Sequence, residues 1–253
     1  VENQTLLQQR IFDALHGDLP REGPGSLGTA MQALTLTQPL PDDAKVLDIG
    51  CGTGAQTVDL ATLLPNARIT ALDCHAPFLR ALERKAAARG FAERLDVVRG
   101  DMNALAFEPA SFDLIWCQGA AYVIGFERAL REWRCLLKPN GMLAIAEPVW
   151  LRNDAPTSVR DFWSVYPAMR NMDSLRKIAA ECNYFARGDL IMKPEDWWDE
   201  YYTPLSRKID DLRISFIDNP EAQFILDDHF NEIGLYAKYA DFYGYAFFVL
   251  ESI

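Results

Sequence analysis

The sequence predicts an α/β fold in which a doubly wound, mostly parallel sheet is covered by helices. An apolar strand, Val46–Ile49, runs into a turn with glycines at 50, 52 and 54, the junction by which such sheets pass from strand to helix. Apolar runs of strand length then alternate with stretches of helical period through residues 44 to 150, and that alternation builds parallel sheets because each crossover needs a helix. The 253 residues are 49% hydrophobic, which suits one substantial core with an added cap better than two domains.

Taken in order, Leu7, Ile11, Ala14 and Leu15 keep the spacing of an amphipathic helix that ends near Gly17. The loop Gly23-Pro24-Gly25-Ser26-Leu27-Gly28 follows, with Ser26 a candidate cap for a helix holding Met31 and Leu34. Residues 1–40 are thus assigned to N-terminal cap helices. The second strand ends on Ala71-Leu72-Asp73, and Pro77 sits in the first turn of a helix that stops at Gly90. Third and fourth strands are expected over Leu95–Arg99 and Phe112–Cys117. Phe126, Ala129, Leu130, Trp133, Leu136 and Leu137 form the cleanest helical stripe, and Lys138-Pro139-Asn140-Gly141 should stop it before a fifth strand, Met142–Ala146. After Glu147-Pro148 the chain is richer in aromatics and mostly helical in period. Residues 150–242 are read as completion of the sheet (a helix over Ser174–Cys182, a strand over Asp189–Met192) with cap helices inserted over 194–240. The segment 243–253 supplies the final strand, whose apolar run is Tyr245–Leu250.

The glycine turn carries the functional signal. Alternating glycines let the backbone pass tight against a ligand and aim the next helix's N–H groups at it. Asp73, at the end of the second strand, lies beside the first in a doubly wound sheet and is placed to accept hydrogen bonds from ribose hydroxyls. The crevice therefore suits a nucleoside. Dinucleotide sites use G-x-G-x-x-G against a pyrophosphate; here the spacing is G-x-G-x-G, and Asp48 stands two residues ahead, where a carboxylate would repel phosphate and suit the ammonium of an amino acid.

The run Asp48-Ile49-Gly50-Cys51-Gly52-Thr53-Gly54 resembles motif I of the class I S-adenosylmethionine (SAM) dependent methyltransferases. The resemblance implies a seven-stranded, Rossmann-like sheet whose last strand is antiparallel, and a SAM-binding core over 44–150 within one domain, 1–253. It also implies adenine contacts from Asp101 and Met102, after the third strand, and S-adenosylhomocysteine as product. Arg21–Ser26, Gly119–Arg128, Lys238-Tyr239 and Tyr243–Tyr245 are similar to small bacterial methyltransferases of the type 11 group, which extends the likeness over most of the chain without naming a substrate. That group often carries an acid where this chain has Gln118, so a base role does not carry over to that position.

Each candidate residue also has an ordinary structural role. Cofactor contacts are assigned to Asp48, Gly50, Gly52, Gly54, Asp73, Cys74, Asp101, Met102 and Gln118; Asp73 and Asp101 would alternatively cap helices, Met102 fill the core, and Gln118 start the next helix. Cys117, Gln118 and Gly119 end the fourth strand, where open α/β sheets hold their ligands. The catalytic candidates are Glu147, at the end of strand five, and Tyr122, one turn beyond strand four; a salt-bridged acid and a packed ring are their alternatives. His16 and His229 are lesser candidate bases from the cap, and His75 belongs near adenine or solvent. Four of the six tryptophans follow strand five, and with Phe162, Tyr166 and Tyr202 they either pack the cap or bound a pocket able to attract a cationic amine. Tyr122, Trp150, Trp197, Trp198 and Tyr201 are the expected pocket residues; adjacent Trp197 and Trp198 do not share a helix face.

Composition narrows the partners. Thirty-six acids against 25 bases give a formal charge of −11, adverse to a phosphate backbone, and the basic stripe Arg80, Arg84, Lys85 and Arg89 reads as a solvated helix face. No nucleic acid or membrane partner is expected, and a homodimer is left open. Five cysteines (51, 74, 117, 135, 182) lack C-x-x-C spacing, so neither a disulfide framework nor a zinc site is indicated, and no metal is expected. A signal-peptide pattern and a run long enough to span a bilayer are both absent from the sequence, so a cytoplasmic location is the expectation. Methyl transfer from a sulfonium is an in-line displacement that requires no metal, and the inserted lid together with the Cys-Gln-Gly-Ala end of strand four points to a small-molecule oxygen, nitrogen or carbon as acceptor. The rival readings are a protein or tRNA methyltransferase and a SAM-binding regulator without turnover.

Overall fold

The computed structural model describes residues 2–253; Val1, the expected first residue of the domain and of its cap segment, lies outside them. Along the chain run α1 (Glu2–His16), α2 (Leu27–Thr35), β1 (Lys45–Ile49), α3 (Ala55–Leu63), β2 (Arg68–Asp73), α4 (Ala76–Arg89), β3 (Leu95–Arg99), β4 (Phe112–Gln118), α5 (Phe126–Trp133) and β5 (Leu137–Trp150). There follow α6 (Thr157–Phe162), β6 (Arg170–Asn171), α7 (Met172–Glu181), β7 (Tyr184–Ile191), α8 (Pro194–Trp197), α9 (Thr203–Ser215), α10 (Pro220–Tyr239) and β8 (Tyr243–Ser252). The strand order is β3-β2-β1-β4-β5-β8-β7, with β6 paired to β5. β8 runs antiparallel to both its neighbours and the other pairings are parallel. The doubly wound sheet with an antiparallel last strand is thus present, and β6 adds an eighth, two-residue strand.

Strand alternation divides the core. Val46, Ile69, Leu114, Trp116 and Ala144 face α2, α3 and α4, while Leu47, Ile115, Leu143 and Ile145 face α5 and α7. On α5 the expected stripe is buried: Phe126, Leu130 and Trp133 are almost wholly covered, each such side chain contributing about 1.5–3 kcal/mol. A third cluster joins α1, α6, α8, α9 and α10 into a cap over the carboxyl ends of the strands. Of the N-terminal pair, α1 joins the cap, whereas Ala30 and Ala33 of α2 pack on the sheet. Ser26 caps α2 as expected, accepting from Thr29 N at 3.1 Å.

Several boundaries differ from the sequence reading for identifiable reasons. β5 begins at Leu137, where its pairing jumps from Phe112↔Leu137 to Leu114↔Met142; Asn140, at φ +61°, lets Lys138–Gly141 bulge within the strand. β7 starts before the expected Asp189 because it is an edge strand, with Tyr184 its one buried residue and no alternation to read. Between α8 and α9, Trp198–Tyr202 form one π-helical turn. Pro204, in the first turn of α9, has no N–H to return to the preceding turn, and the backbone widens there.

Candidate functional site

Gly50, Gly52 and Gly54 all adopt positive φ, and Gly54 is the N-cap of α3. The turn is tied to β2: Gly50 N and Cys51 N donate to Leu72 O at 2.8 and 3.0 Å, and Gly52 N donates to Asp73 Oδ2 at 3.0 Å. Asp73 Oδ1 accepts from His75 N at 2.8 Å, so both oxygens are oriented by backbone donors and keep lone pairs for a ligand. Asp73 does not itself cap α4, whose N-cap is His75, but its carboxylate ties the start of that helix to the glycine turn. Ala120 and Met102 pack over Gly50, while Asp101 is exposed and accepts from Asn103 N and Nδ2 at 2.8 Å. Cys74 is exposed on the rim.

Asp48 is wholly buried, behind the turn. Its Oδ2 accepts from Thr57 Oγ1 at 2.6 Å and its Oδ1 has no partner; burial, with Asp73 and Asp59 nearby, pushes its carboxyl up to about 7. An orphaned oxygen next to the glycine turn is an acceptor in want of a donor.

Three polar residues at this site escaped the sequence reading. Glu22 reaches down to the turn, accepting from Thr53 N at 3.2 Å and from Thr53 Oγ1. A Cβ at Gly52 would run into the Glu22 carboxylate, and burial raises that group's pKa. Lys85, grouped by its spacing with a solvated stripe, instead turns inward and donates to Thr53 Oγ1 at 2.9 Å, while Arg80, Arg84 and Arg89 are exposed. Arg21 is buried between Asp59 and Glu200, at 2.6 and 2.5 Å. The Arg21–Ser26 stretch was singled out in the sequence; which side chains it sends inward depends on the fold.

That stretch forms a strap. Gln118, at the end of β4, donates from Nε2 to Pro24 O at 2.7 Å, and Gly25 N donates to Asp196 O at 2.9 Å. Gly25, at φ +150°, leaves no room for a Cβ against Gln118. Gln118 thus joins strap to sheet, and any ligand contact from it comes beyond that bond.

β4 ends paired as Gln118↔Ala146, and β6 joins β5 only at Val149 and Trp150, so Glu147 sits at the gap between them. Glu147 is 0% exposed. Its Oε2 accepts from Tyr166 OH at 3.0 Å, its Oε1 has no partner, and burial pushes its carboxyl up to about 8. Tyr122, 44% exposed, lies edge-on to Tyr166 with centroids 5.9 Å apart. The structure thus brings Tyr122 and Glu147 together through Tyr166.

The cap residues are layered above this gap. Trp197 is buried and stacked on Tyr236 at 4.0 Å, and meets Tyr245 edge-on at 5.5 Å. Trp198 is half-buried against Tyr202, and Tyr201 is buried and stacked on Tyr202 at 4.7 Å. Trp150 is half-buried under the Arg160 guanidinium. Glu232 of α10, not selected from the sequence, accepts from Tyr202 OH at 2.9 Å and is raised by burial. His16 and His229 face each other at 5.6 Å between α1 and α10; burial and His229 hold His16 down at about 4. His75 binds Asp13 of α1 at 3.0 Å.

Residues 46–141 match a family profile described as a methyltransferase domain. Curated relatives include a ubiquinone/menaquinone biosynthesis C-methyltransferase of Ruegeria sp. (strain TM1040), 34% identical over 51% of this chain and 52% of the relative. A trans-aconitate 2-methyltransferase of Paracidovorax citrulli (strain AAC00-1) is 33% identical over 65% of this chain and 63% of the relative. The chain spans between 24% and 63% of the length of the curated relatives it matches. A SAM-dependent methyltransferase of Geobacter sulfurreducens, solved with S-adenosyl-L-homocysteine, shares the fold at TM-score 0.80 and 21% identity, over 96% of this chain and 98% of that one.

Proposed function

We propose that residues 46–141, which match a methyltransferase-domain profile, form the core of a class I, SAM-dependent methyltransferase, and that the chain transfers the methyl group of SAM to a small-molecule acceptor. The observation that carries the proposal is the pairing of the glycine turn, tied to Asp73, with the Glu147 gap on the same edge of the sheet. The residues fit the cofactor. Asp73 holds two oxygens oriented by backbone donors for a ribose diol, Met102 stands close to Gly50 where it would pack on an adenine, and the orphaned Asp48 Oδ1 lacks a donor such as the α-ammonium.

When bound, SAM supplies an electrophilic methyl whose bond to sulfur breaks as the bond to the acceptor forms, leaving neutral S-adenosylhomocysteine. The chain's task is to align an acceptor and exclude water, which the strap and the aromatic cap suit. Glu147, whose carboxyl burial raises to about 8, would in its ionised form take a proton from an acceptor at its free Oε1, with Tyr166 holding the carboxylate through Oε2. A sulfonium leaving group needs no Lewis acid, so the reaction is proposed to be metal-independent. Relatives named for trans-aconitate and for ubiquinone/menaquinone biosynthesis favour a small acceptor.

Incubation with methyl-labelled SAM and fractionated cell extract tests the reading. A labelled small product, formed equally with a chelator present, is expected, and Glu147→Gln should slow the chemical step by ~10²-fold or more. Failure of S-adenosylhomocysteine to bind in a calorimeter would overturn the reading.

A further inference from the structure

We propose that Glu22 and the cofactor compete for one seat: the Glu22 carboxylate fills the place over Gly52 and Thr53 that the amino-acid carboxylate of SAM takes, and cofactor binding exchanges one carboxylate for the other. The inference rests on the methyl-transfer reading above and concerns how that same site admits its cofactor.

The three glycines of the turn are each covered, and the covers differ. At Gly50 an added Cβ would meet Ala120, and at Gly54 it would meet Leu82, both packed into the fold. At Gly52 it would meet the end of the Glu22 side chain, which arrives from the loop between α1 and α2. Beneath that carboxylate Thr53 is 0% exposed, so a ligand reaches its N–H and hydroxyl only after Glu22 leaves. The strap allows that movement. Arg21 is clamped to Asp59 and Glu200, and Pro24 is held by Gln118, but a Cβ at Gly23 would meet no atom within 4 Å. Glu22 can therefore withdraw by local rotation beside Gly23 while the strap stays anchored.

The seat suits a carboxylate. Thr53 N and Oγ1 both donate to Glu22, and Lys85 Nζ donates to Thr53 Oγ1 at 2.9 Å, so a backbone donor, a hydroxyl and a cation converge on one anion. Asp73 Oδ2 accepts from the N–H of Gly52, the residue before Thr53, at 3.0 Å. A cofactor whose ribose rests on Asp73 thus brings its amino-acid tail to the same stretch of backbone. The incoming carboxylate takes over the bonds of the outgoing one, and Glu22, whose carboxyl is raised by burial, regains hydration as it withdraws. A pyrophosphate would also have to displace Glu22, without an ammonium to set against Asp48 and Asp73.

The test titrates the full chain calorimetrically with S-adenosylhomocysteine and with methylthioadenosine, which keeps the nucleoside and its sulfur but has no amino-acid tail. Glu22→Gln leaves a neutral, weaker occupant. It should tighten S-adenosylhomocysteine by ~10-fold, about 1.4 kcal/mol, while methylthioadenosine stays within ~2-fold of its parental affinity. Glu22→Asp keeps the charge but falls one methylene short of Thr53, so it should tighten S-adenosylhomocysteine in the same way, and it keeps the test valid if the Gln variant misfolds. S-adenosylhomocysteine affinity that is unchanged or weaker in both variants, or equal tightening of both ligands, overturns the exchange and leaves methyl transfer intact. Tightening by Gln but not by a folded Asp variant would trace to charge and not to occupancy, and overturns the exchange too. Absence of S-adenosylhomocysteine binding to the parent and to both variants overturns both readings.

Discussion

Glu147 carries an ionisable group where no solvent reaches, with one oxygen held by Tyr166 and the other free. Its carboxyl is raised from the ordinary value of 4.5 to about 8. Between those pH values the unfolded chain releases a proton that the folded chain keeps. Stability contributed by the neutral form is full below pH 4.5 and falls as pH rises toward 8. Glutamine keeps an oxygen for Tyr166 and has no such proton. Glu147→Gln should therefore match the parent in urea unfolding at pH 4 and exceed it increasingly toward pH 9; a gap that stays constant with pH would show that Glu147 titrates normally. Asp48, raised by the same cause, is present in both proteins and cancels. Glu147 was singled out as the acid that follows the fifth apolar run; β5 in fact continues past it to Trp150, and it is the lack of a partner strand between β4 and β6 that leaves it at a gap. Tyr166 was read only as a cap or pocket ring and Lys85 as part of a solvated face, and Glu22 and Glu232 were given no role, because their contacts depend on how loops and cap helices return to the sheet, which no local spacing encodes.

At the level of elements, the strap and the cap are joined through Asp196. It is buried and accepts from Ser26 Oγ, from Thr29 Oγ1 at 2.7 Å and from Lys193 N at 2.9 Å, beside the Gly25 N bond to its own carbonyl. Removing the carboxylate leaves these donors unpaired, at a cost of about 1.5–3 kcal/mol per bond to a charged group before relaxation. In Asp196→Ala, amides of the strap and the start of α2 should exchange faster by hydrogen exchange, while those of β1 and β4 keep their parental rates. Equal acceleration across the sheet would make Asp196 a general stabiliser and not a strap anchor. The sequence marked this loop by its glycines and Ser26 but not its partner, since Asp196 lies far along the chain. Elements differed in the same way. Interior strands β1, β4 and the central part of β5 were plain from their apolar runs, whereas edge strand β7 and two-residue β6 owe their pairing to neighbours.

For the whole molecule, sheet, strap and cap meet around one crevice, so a ligand that bridges them should stabilise the folded chain as a unit. The choice of ligand follows from charge. The chain carries −11 overall, and Asp73 and Glu22 crowd the glycine turn, with Glu22 already on the Thr53 N–H that a phosphate would need. A pyrophosphate would face two carboxylates at close range, whereas the zwitterionic amino-acid tail of S-adenosylhomocysteine brings an ammonium among them. At one hundred times its dissociation constant, S-adenosylhomocysteine should add about 2.7 kcal/mol, which for a chain of this size raises the unfolding midpoint by roughly 5–10 °C. NAD at the same concentration should leave the midpoint unchanged, and raising the salt should not create a shift, because the obstacle is the built-in Glu22 carboxylate and not the diffuse surface charge that salt screens. A thermal scan in which NAD stabilises the chain as much as S-adenosylhomocysteine would mean that the glycine turn accepts phosphate after all, and would undo the cofactor assignment on which the proposed chemistry stands.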